Sequence, residues 1–379
     1  MRVLHLITRM DGGGSAVNTL LCATHQAEAG YQVCLAYGPD VSSDMSEDER
    51  TRVMQNLDHF RAAGGKTYVL DALHRQPGLS DWRACRQIAG LIGQRGFDLV
   101  HTHTSKAGAL GRWVAFGRVK AVVHTPHGHI FHGYFGSLKT RLFAGIERWL
   151  ARRTHALVAL TGAERDDHLR LRIGELSQWH VIPSGVDVAA IAAQSASWRQ
   201  QHGEDEPEWT AVSVGRLVEV KGMDRLIRAW KRVVAIEPEA RLAIVGDGPE
   251  RVRLGELCHE HGVERQVHFA GWQNPVPFLV NSRCFVLLSR NEGMGRVVVE
   301  AMAVGLPCVV SGVCGLGELV DPSVGRIVDA EDSDMVADAV MSRWPESVQV
   351  AARKRAECYS LEVMTEKLSE LYEEVMHGA

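Results

Sequence analysis

The stretch "VLLSRNEGMGRVVVEAMAVGLPCVVS", residues 286–311, decides the fold class. An apolar run ends at Leu288, and a polar turn then carries Glu292. Gly293-x-Gly295 opens a helical stretch with Glu300 in its second turn, and "GLPCVV" begins another apolar run. A short Val/Leu-rich run, a turn, a helix and a second such run in succession form one parallel crossover unit. The same rhythm extends in both directions along the chain. Strands are expected at 3–7, 32–37, 99–103, 121–124, 156–160 and 180–182, and again at 210–214, 241–245, 266–269, 284–288, 307–310 and 326–328. After Val186 the pattern breaks into "AAIAAQSASWRQQHGEDEPEWT", which resembles a linker. The expectation is therefore an α/β chain of two tandem Rossmann-like, doubly wound domains facing an interdomain cleft, with ligands at the strand carboxyl ends. The domains are placed at 1–185 and 186–358. An amphipathic C-terminal helix at 359–379 packs back towards the first domain and braces across.

The length of 379 residues, 45% hydrophobic and 23% charged, fits two globular domains and excludes disorder and disulfide miniproteins. Up to residue 185 the chain holds 22 Lys+Arg against 16 Asp+Glu, and beyond it 20 against 30. That asymmetry argues against a globally basic nucleic-acid binder and hints at an anionic partner or membrane setting for the first half. The eight cysteines form no Cys-x-x-Cys pair and read as free thiols in a reducing compartment. "MRVLHLIT" is too short for a signal segment and no run approaches a membrane span, so a cytoplasmic location is expected.

Four groups of residues carry chemistry. Gly12-Gly13-Gly14 follows the first strand and opens a helix, where bare backbone N–H groups attract phosphate, although Val17 stands where a dinucleotide fingerprint wants a third glycine. His101 and His103 end one strand, and His124, His127, His129 and His132 cluster after the next. They could bind zinc, but Lys106, Arg112 and the lack of acidic residues nearby point instead to an anion-facing surface, with His127 able to donate to a hydroxyl or phosphate. Glu292 and Glu300 bracket a strand-to-glycine-to-helix junction, where carboxylates suit vicinal hydroxyls and the helix start suits phosphate. The same spacing at Glu256/Glu264, Glu362/Glu370 and Glu366/Glu374 lies in solvated helical stretches. Finally, Arg216 and Lys221 follow the first strand of the second domain and can neutralise a diphosphate. Asp332-x-Asp334 mimics a metal motif but reads as a helix N-cap.

Together, "GGGSAVNTLL", "VHTHTSKAGALGRWVA", "HTPHGHIF", "VIPSGVD", "VGRLVEVKGMDRLIRAW", "LAIVGDGPE" and "EGMGRVVVEAMAVGLPCVV" make the chain resemble the retaining glycosyltransferases of family 4, of GT-B architecture, and exopolysaccharide- and capsule-type bacterial members in particular. The resemblance implies a nucleotide-sugar donor, UDP-linked, on the second domain and a saccharide, lipid-linked or small-molecule acceptor on the first. It implies that Glu300 holds the ribose, Glu292 the donor sugar, and Arg216 and Lys221 the diphosphate. Backbone around Gly293, Met294, Gly295, Arg296 and Val297, and the loop at Gly13 and Gly14, would assist. His127 would approach the transferred sugar, and Gly271 and Trp272 would lie near the base. No metal or other cofactor is implied. Ser184 and Ser15 depart from the family pattern, at a hinge segment and after the glycines. Rival readings are a nucleotide-sugar epimerase on the same architecture, a histidine-cluster metal hydrolase and a non-catalytic sensor. The basic, aromatic segment 135–155 has the composition of an interfacial helix, so peripheral contact with the inner face of a membrane is a further expectation.

Overall fold

The computed structural model describes residues 1–39, 45, 47–128, 137–203, 206–313 and 315–378. It resolves into two compact units, Met1–Gly185 with Leu361–Ala379, and Val186–Ser360. His129, His132, Cys314, residues 135–136 and the side chain of Lys139 lie outside the described residues.

The first unit runs β1 (Arg2–Ile7), α1 (Gly14–Glu28), β2 (Gln32–Tyr37), α2 (Glu47–Ala62), β3 (Lys66–Val69), α3 (Ser80–Arg95), β4 (Leu99–His103), α4 (Ser105–Ala115), β5 (Ala121–Thr125), α5 (Ser137–Ala151), β6 (Ala156–Ala159), α6 (Gly162–Arg170) and β7 (Trp179–Val181). Its seven strands are all parallel, in the order β3-β2-β1-β4-β5-β6-β7. Crossover helices cover both faces of such a sheet, so β4, β5 and β6 are buried at every position and read as unbroken apolar or neutral runs. β3 is different. It is a partly exposed edge strand of sequence KTYV, without the apolar run that marks the others.

The second unit runs α7 (Val188–His202), β8 (Ala211–Val214), α8 (Met223–Ile236), β9 (Leu242–Val245), α9 (Arg251–His261), β10 (Val267–Gly271), α10 (Val276–Val280), β11 (Phe285–Leu287), α11 (Arg296–Val304), β12 (Cys308–Ser311), α12 (Leu316–Leu319), β13 (Gly325–Val328), α13 (Ser333–Val340) and α14 (Glu346–Glu357). Its sheet is again wholly parallel, ordered β10-β9-β8-β11-β12-β13. Asp332 caps α13 by accepting from the amides of Asp334 and Met335, as its spacing predicts.

The expected linker after Val186 is instead the helix α7. Asp187 caps it by accepting from Ala190 N, and its alanines favour helix intrinsically. Ser195 is its one buried residue, so it shows no apolar stripe to betray it. The last helix, α15 (Leu361–His377), places Leu361, Met364, Leu368, Leu371 and Tyr372 in one cluster with Val3, Leu99, Ala121, Val123 and Ala156 of the first sheet. Because α15 brings five glutamates and one lysine back to the first unit, the charge asymmetry counted at residue 185 shrinks to about +2 and −6. The two chain crossings lie side by side. Val186 N donates to Tyr359 O at 2.9 Å, and Gly185 N donates to Met364 Sδ at 3.0 Å.

No helix among the described residues is long and apolar enough to cross a membrane. Leu368→Ala should cost about 2–4 kcal/mol. Hydrogen exchange should show the lost protection in β1, β4 and β5 and not in β8 or β11, and uniform loss across both sheets would contradict this placement of α15.

Candidate functional site

In the second unit, the strand order turns back between β8 and β11, so the loops leaving these two neighbours diverge and open a crevice at their carboxyl ends. Arg216 leaves β8 exposed, with no side-chain hydrogen bond or ion pair among the described residues. Lys221 ends a 3₁₀ turn, Glu219–Lys221. Across the crevice, Glu292 follows β11, and its Oε2 accepts from Lys221 Nζ at 2.6 Å and from Ser289 Oγ at 3.2 Å. The two side chains keep 21% and 14% of their surface exposed, so the pair is reachable from solvent.

Gly295 stands at the start of α11 with φ of 82°, and a Cβ there would lie 2.4 Å from Leu316 Cδ2. No side chain caps this helix and no acidic residue occupies its first turn, while the Glu292 side chain lies beside Gly295. Gly293, Arg296, Val297 and Glu300 are half-buried around that start, and Met294 packs beneath it. Burial raises the Glu300 carboxyl above its ordinary range, with Arg296 one turn earlier opposing the rise. Gly271 ends β10, where its carbonyl accepts from Gly246 N at 2.8 Å, and half-buried Trp272 follows on the same carboxyl edge.

A clamp centred on the buried carboxylate of Asp224 fixes the crevice walls. Asp224 on α8 accepts two 2.7 Å bonds from Arg290 and one of 3.0 Å from Arg228. Burial alone would raise the Asp224 carboxyl, but these guanidinium groups outweigh it and hold it low. Arg290 also donates its backbone N–H to Val220 O and Nη1 to Glu219 O, both at 2.8 Å. The segment before Glu292 is thereby fastened to the segment before Lys221. Gly222, at φ of 65°, brings its backbone so close that a Cβ would sit 2.0 Å from Leu288 O.

In the first unit the order turns back between β1 and β4. Thr104 and His127, after β4 and β5, adopt φ of 62° and 63°, rare for residues with a Cβ. Gly13 is the N-cap of α1 and Gly14 its first residue. Two of the three glycine amides are not bare, which corrects the expectation for them. Gly12 N donates to Glu49 Oε1 at 3.1 Å and Gly13 N to Asp11 Oδ1 at 3.0 Å. Of the histidine cluster, the described members other than His127 do not form an anion-facing surface either. His5, His101, His103 and His124 are buried inside the sheet, where desolvation lowers all four, His5 to about 4. Lys106 is paired with Asp81 at 2.6 Å, and fully buried Arg112 with Glu147 at 2.6 Å. His5, His101 and His103 bring ring nitrogens within 4.8 Å of one another, but His5 Nδ1 and His103 Nε2 already share a 2.9 Å hydrogen bond that a metal ion would have to break. The backbone after His127 is anchored by Glu164, whose carboxylate accepts from Gly128 N and Leu160 N, both at 2.7 Å.

Two family models match, "Glycosyl transferase 4-like domain" over residues 13–185 and "Glycosyl transferases group 1" over residues 194–347, and between them they span most of the chain. The chain belongs to the family 4 glycosyltransferases. An Escherichia coli UDP-Gal:alpha-D-GlcNAc-diphosphoundecaprenol alpha-1,3-galactosyltransferase is 28% identical over 69% of this chain and 70% of that enzyme. A GDP-mannose-dependent phosphatidylinositol monomannoside mannosyltransferase of Corynebacterium glutamicum is 30% identical over 50% of this chain and 55% of the relative. Among solved structures, HepE of Anabaena in complex with UDP superposes with a TM-score of 0.79 at 20% identity, covering 99% of this chain and all of HepE. Sucrose-phosphate synthase of Thermosynechococcus elongatus gives 0.78 at 20% identity over the whole of both chains. Both sheets of this glycosyltransferase are thus those of the GT-B fold.

Several residues that shape these two carboxyl edges escape a reading of the sequence. His5 looks like an interruption of the first apolar run, yet β1 pairs with β4 in the register His5↔His101 and so joins the cluster. Asp224, Arg290 and Glu164 look like surface charges on helices and loops, and only the strand order shows what they hold. Ser184, read at a hinge, is buried and donates to Asn18 Oδ1 at 2.5 Å.

The buried histidines set a pH dependence. A histidine whose folded pKa lies below its unfolded value leaves stability intact above pH 6.5 and costs stability as pH falls towards the folded value, for His5 by about 3 kcal/mol. Glu164, raised by burial to about 7, acts in the opposite direction, losing its contribution as pH rises from 4.5 to 7. His5 and Glu164 roughly cancel, leaving His101, His103 and His124 to decide the sign. The thermal midpoint of the first unit should fall as pH is lowered from 6.5 to 5, followed by calorimetry. A flat profile would show that these imidazoles are not held neutral.

Proposed function

We propose that the chain transfers a hexose from a UDP-sugar to a hydroxyl of a saccharide, lipid-linked or small-molecule acceptor, with retention of anomeric configuration and without a metal. The observation that carries this is the contact between Lys221 and Glu292 across the β8/β11 crevice. An ammonium and a carboxylate touching at one point can bind a phosphate oxygen and a sugar hydroxyl that are themselves adjacent. That adjacency is found at the glycosyl–phosphate bond to be broken. Arg216, exposed and unengaged, adds a second cation, and the uncapped start of α11 supplies backbone dipoles for the same diphosphate. Glu300 takes the ribose hydroxyls, Gly271 and Trp272 flank the base, and His127 meets the transferred sugar. The acceptor is placed on the first unit.

UDP is favoured because the Escherichia coli relative is named for a UDP-galactose donor and HepE was solved with UDP. The relative's diphosphoundecaprenol acceptor supports a lipid-linked substrate here. In this reading the departing diphosphate is stabilised by Arg216, Lys221 and the helix start. The acceptor hydroxyl passes its proton to the leaving phosphate oxygen on the face where the new bond forms, so no protein base is required.

A lipid-linked acceptor calls for contact with a membrane, and the first unit offers a surface for it. Trp113 and Phe116 on and after α4, and Leu142 and Ile146 on α5, are exposed. Trp113 lies against Trp149, and Arg153 covers Trp149 at 3.7 Å from the ring centre. Exposed aromatic and aliphatic side chains interleaved with arginines suit an anionic interface.

Lys221→Ala and Glu300→Ala should each lower turnover of the donor at least a hundredfold, a loss typical of removing one preorganised contact to developing charge. Released nucleotide measured by chromatography across a panel of nucleotide sugars reads this and names the donor, and near-normal rates in both variants would overturn the assignment. On vesicles, the protein should sediment with anionic but not zwitterionic lipid, and Trp113→Ser with Leu142→Ser should abolish the binding. Equal sedimentation of wild type and double variant would remove this surface from the account.

A further inference from the structure

The histidines of the first unit are joined in a single file. His5 Nε2 lies 2.8 Å from Gln26 Oε1, His5 Nδ1 lies 2.9 Å from His103 Nε2, and His103 Nδ1 lies 2.8 Å from His127 Nε2. Gln26 sits on α1, His5 on β1, His103 on β4, and His127 follows β5, so four elements contribute one link each. His5 and His103 are fully buried and desolvation keeps them neutral, so each ring carries one N–H.

One end of the file determines the rest. A carbonyl oxygen only accepts, so His5 must carry its proton on Nε2, which leaves Nδ1 a lone pair. His103 must then donate from Nε2, leaving its own Nδ1 a lone pair, and His127 must donate from Nε2 in turn. The orientation of the Gln26 amide rests on this contact with His5, since its amide nitrogen, also buried, has no hydrogen-bond partner among the described residues. The Tyr372 hydroxyl lies 2.5 Å from His101 Nδ1, and His101 Nε2 lies 2.8 Å from Thr125 Oγ1. A phenol donating to His101 Nδ1, and His101 Nε2 donating to Thr125, complete a second file with no conflict of protons.

We propose that Gln26 is a positioning residue for the transfer reaction. Through His5 and His103 it holds His127 as the Nε2–H tautomer, so that His127 Nδ1 accepts a hydrogen bond from a hydroxyl of the transferred sugar. This rests on the role given to His127 above, and it reverses the sequence-based expectation that the ring donates. The strained φ of 63° at His127 and the Glu164 grip on Gly128 hold the ring at the end of the file. A cation at His5 or His103 would break the file, because a doubly protonated ring has no lone pair to pass on.

The test is the tautomeric state itself, read from long-range proton–nitrogen correlation spectra of the full chain labelled with nitrogen-15 histidine at pH 7.5. His5, His103 and His127 should all show protonated Nε2 and unprotonated Nδ1. In Gln26→Leu, which lacks the acceptor, the pattern should break into mixed tautomers, with kcat falling roughly ten- to a hundredfold and KM for the nucleotide sugar changing less. Gln26→Glu keeps an acceptor oxygen and should restore both. A wild-type spectrum with the His127 proton on Nδ1 would overturn the proposal, as would an unaltered tautomer pattern in a folded Gln26→Leu variant. Metal-shifted imidazole signals abolished by a chelator would overturn it too. The wild-type spectrum decides even if the variants do not fold. Because it needs no turnover, the expected tautomers in a protein that transfers no sugar would refute the functional reading and leave the proton order standing.

Discussion

Both sheets are parallel throughout, and that constraint organises everything else. A parallel neighbour can be reached only by a crossover, so each strand delivers the chain to the same edge before the helix carries it back. The carboxyl edges thus collect every loop with chemistry in it. Where the strand order reverses, two adjacent loops lean apart, and in the second unit Lys221 and Glu292 meet across that gap. Their meeting depends on the Asp224–Arg290 clamp and on Gly222, whose missing side chain lets the two strand exits touch. A solvated ion pair alone would contribute little to stability. This one differs because its two members are held at a fixed point by a separate set of groups, Asp224, Arg290 and Gly222.

The sequence makes the alternating architecture legible because buried parallel strands are apolar on both faces. The same physics explains the failures. β3 is half-solvated and so lacks the signal, while α7 buries almost nothing and its helix rests on alanine propensity and one aspartate cap. The glutamates at 292 and 300 are legible from their junction of strand, glycine and helix. The supports behind them are not, because Arg290 and Asp224, or His5 and His103, become neighbours only when strand order and register are known. Reading the glycine loop as bare amides fails for a related reason. The carboxylates that occupy Gly12 and Gly13 come from Asp11, two residues from Gly13, and from Glu49, on a helix whose placement the loop itself does not reveal.

Two ways of handling polarity coexist in the molecule. The crevice of the second unit uses full charges at a partly exposed rim, in a unit that is net acidic, so its affinity for an anion must come from a few local cations and a helix start. The first unit buries its polar groups and keeps the imidazoles uncharged, because an ion inside a parallel sheet would cost several kcal/mol without a partner. Direction in the first case is set by charge, and in the second by which nitrogen holds the proton.

The return of α15 to the first unit has a consequence for how the protein is made. Val3, Leu99, Ala121 and Val123 cluster with Leu361, Leu368 and Tyr372, so this part of the first unit's core is not closed until residues 361–372 have been made. The second unit, continuous from Val186 to Ser360, has all its strands and helices before then. A face among the first to be made is thus among the last to be covered, while two other clusters of the same unit draw only on residues made before Val186.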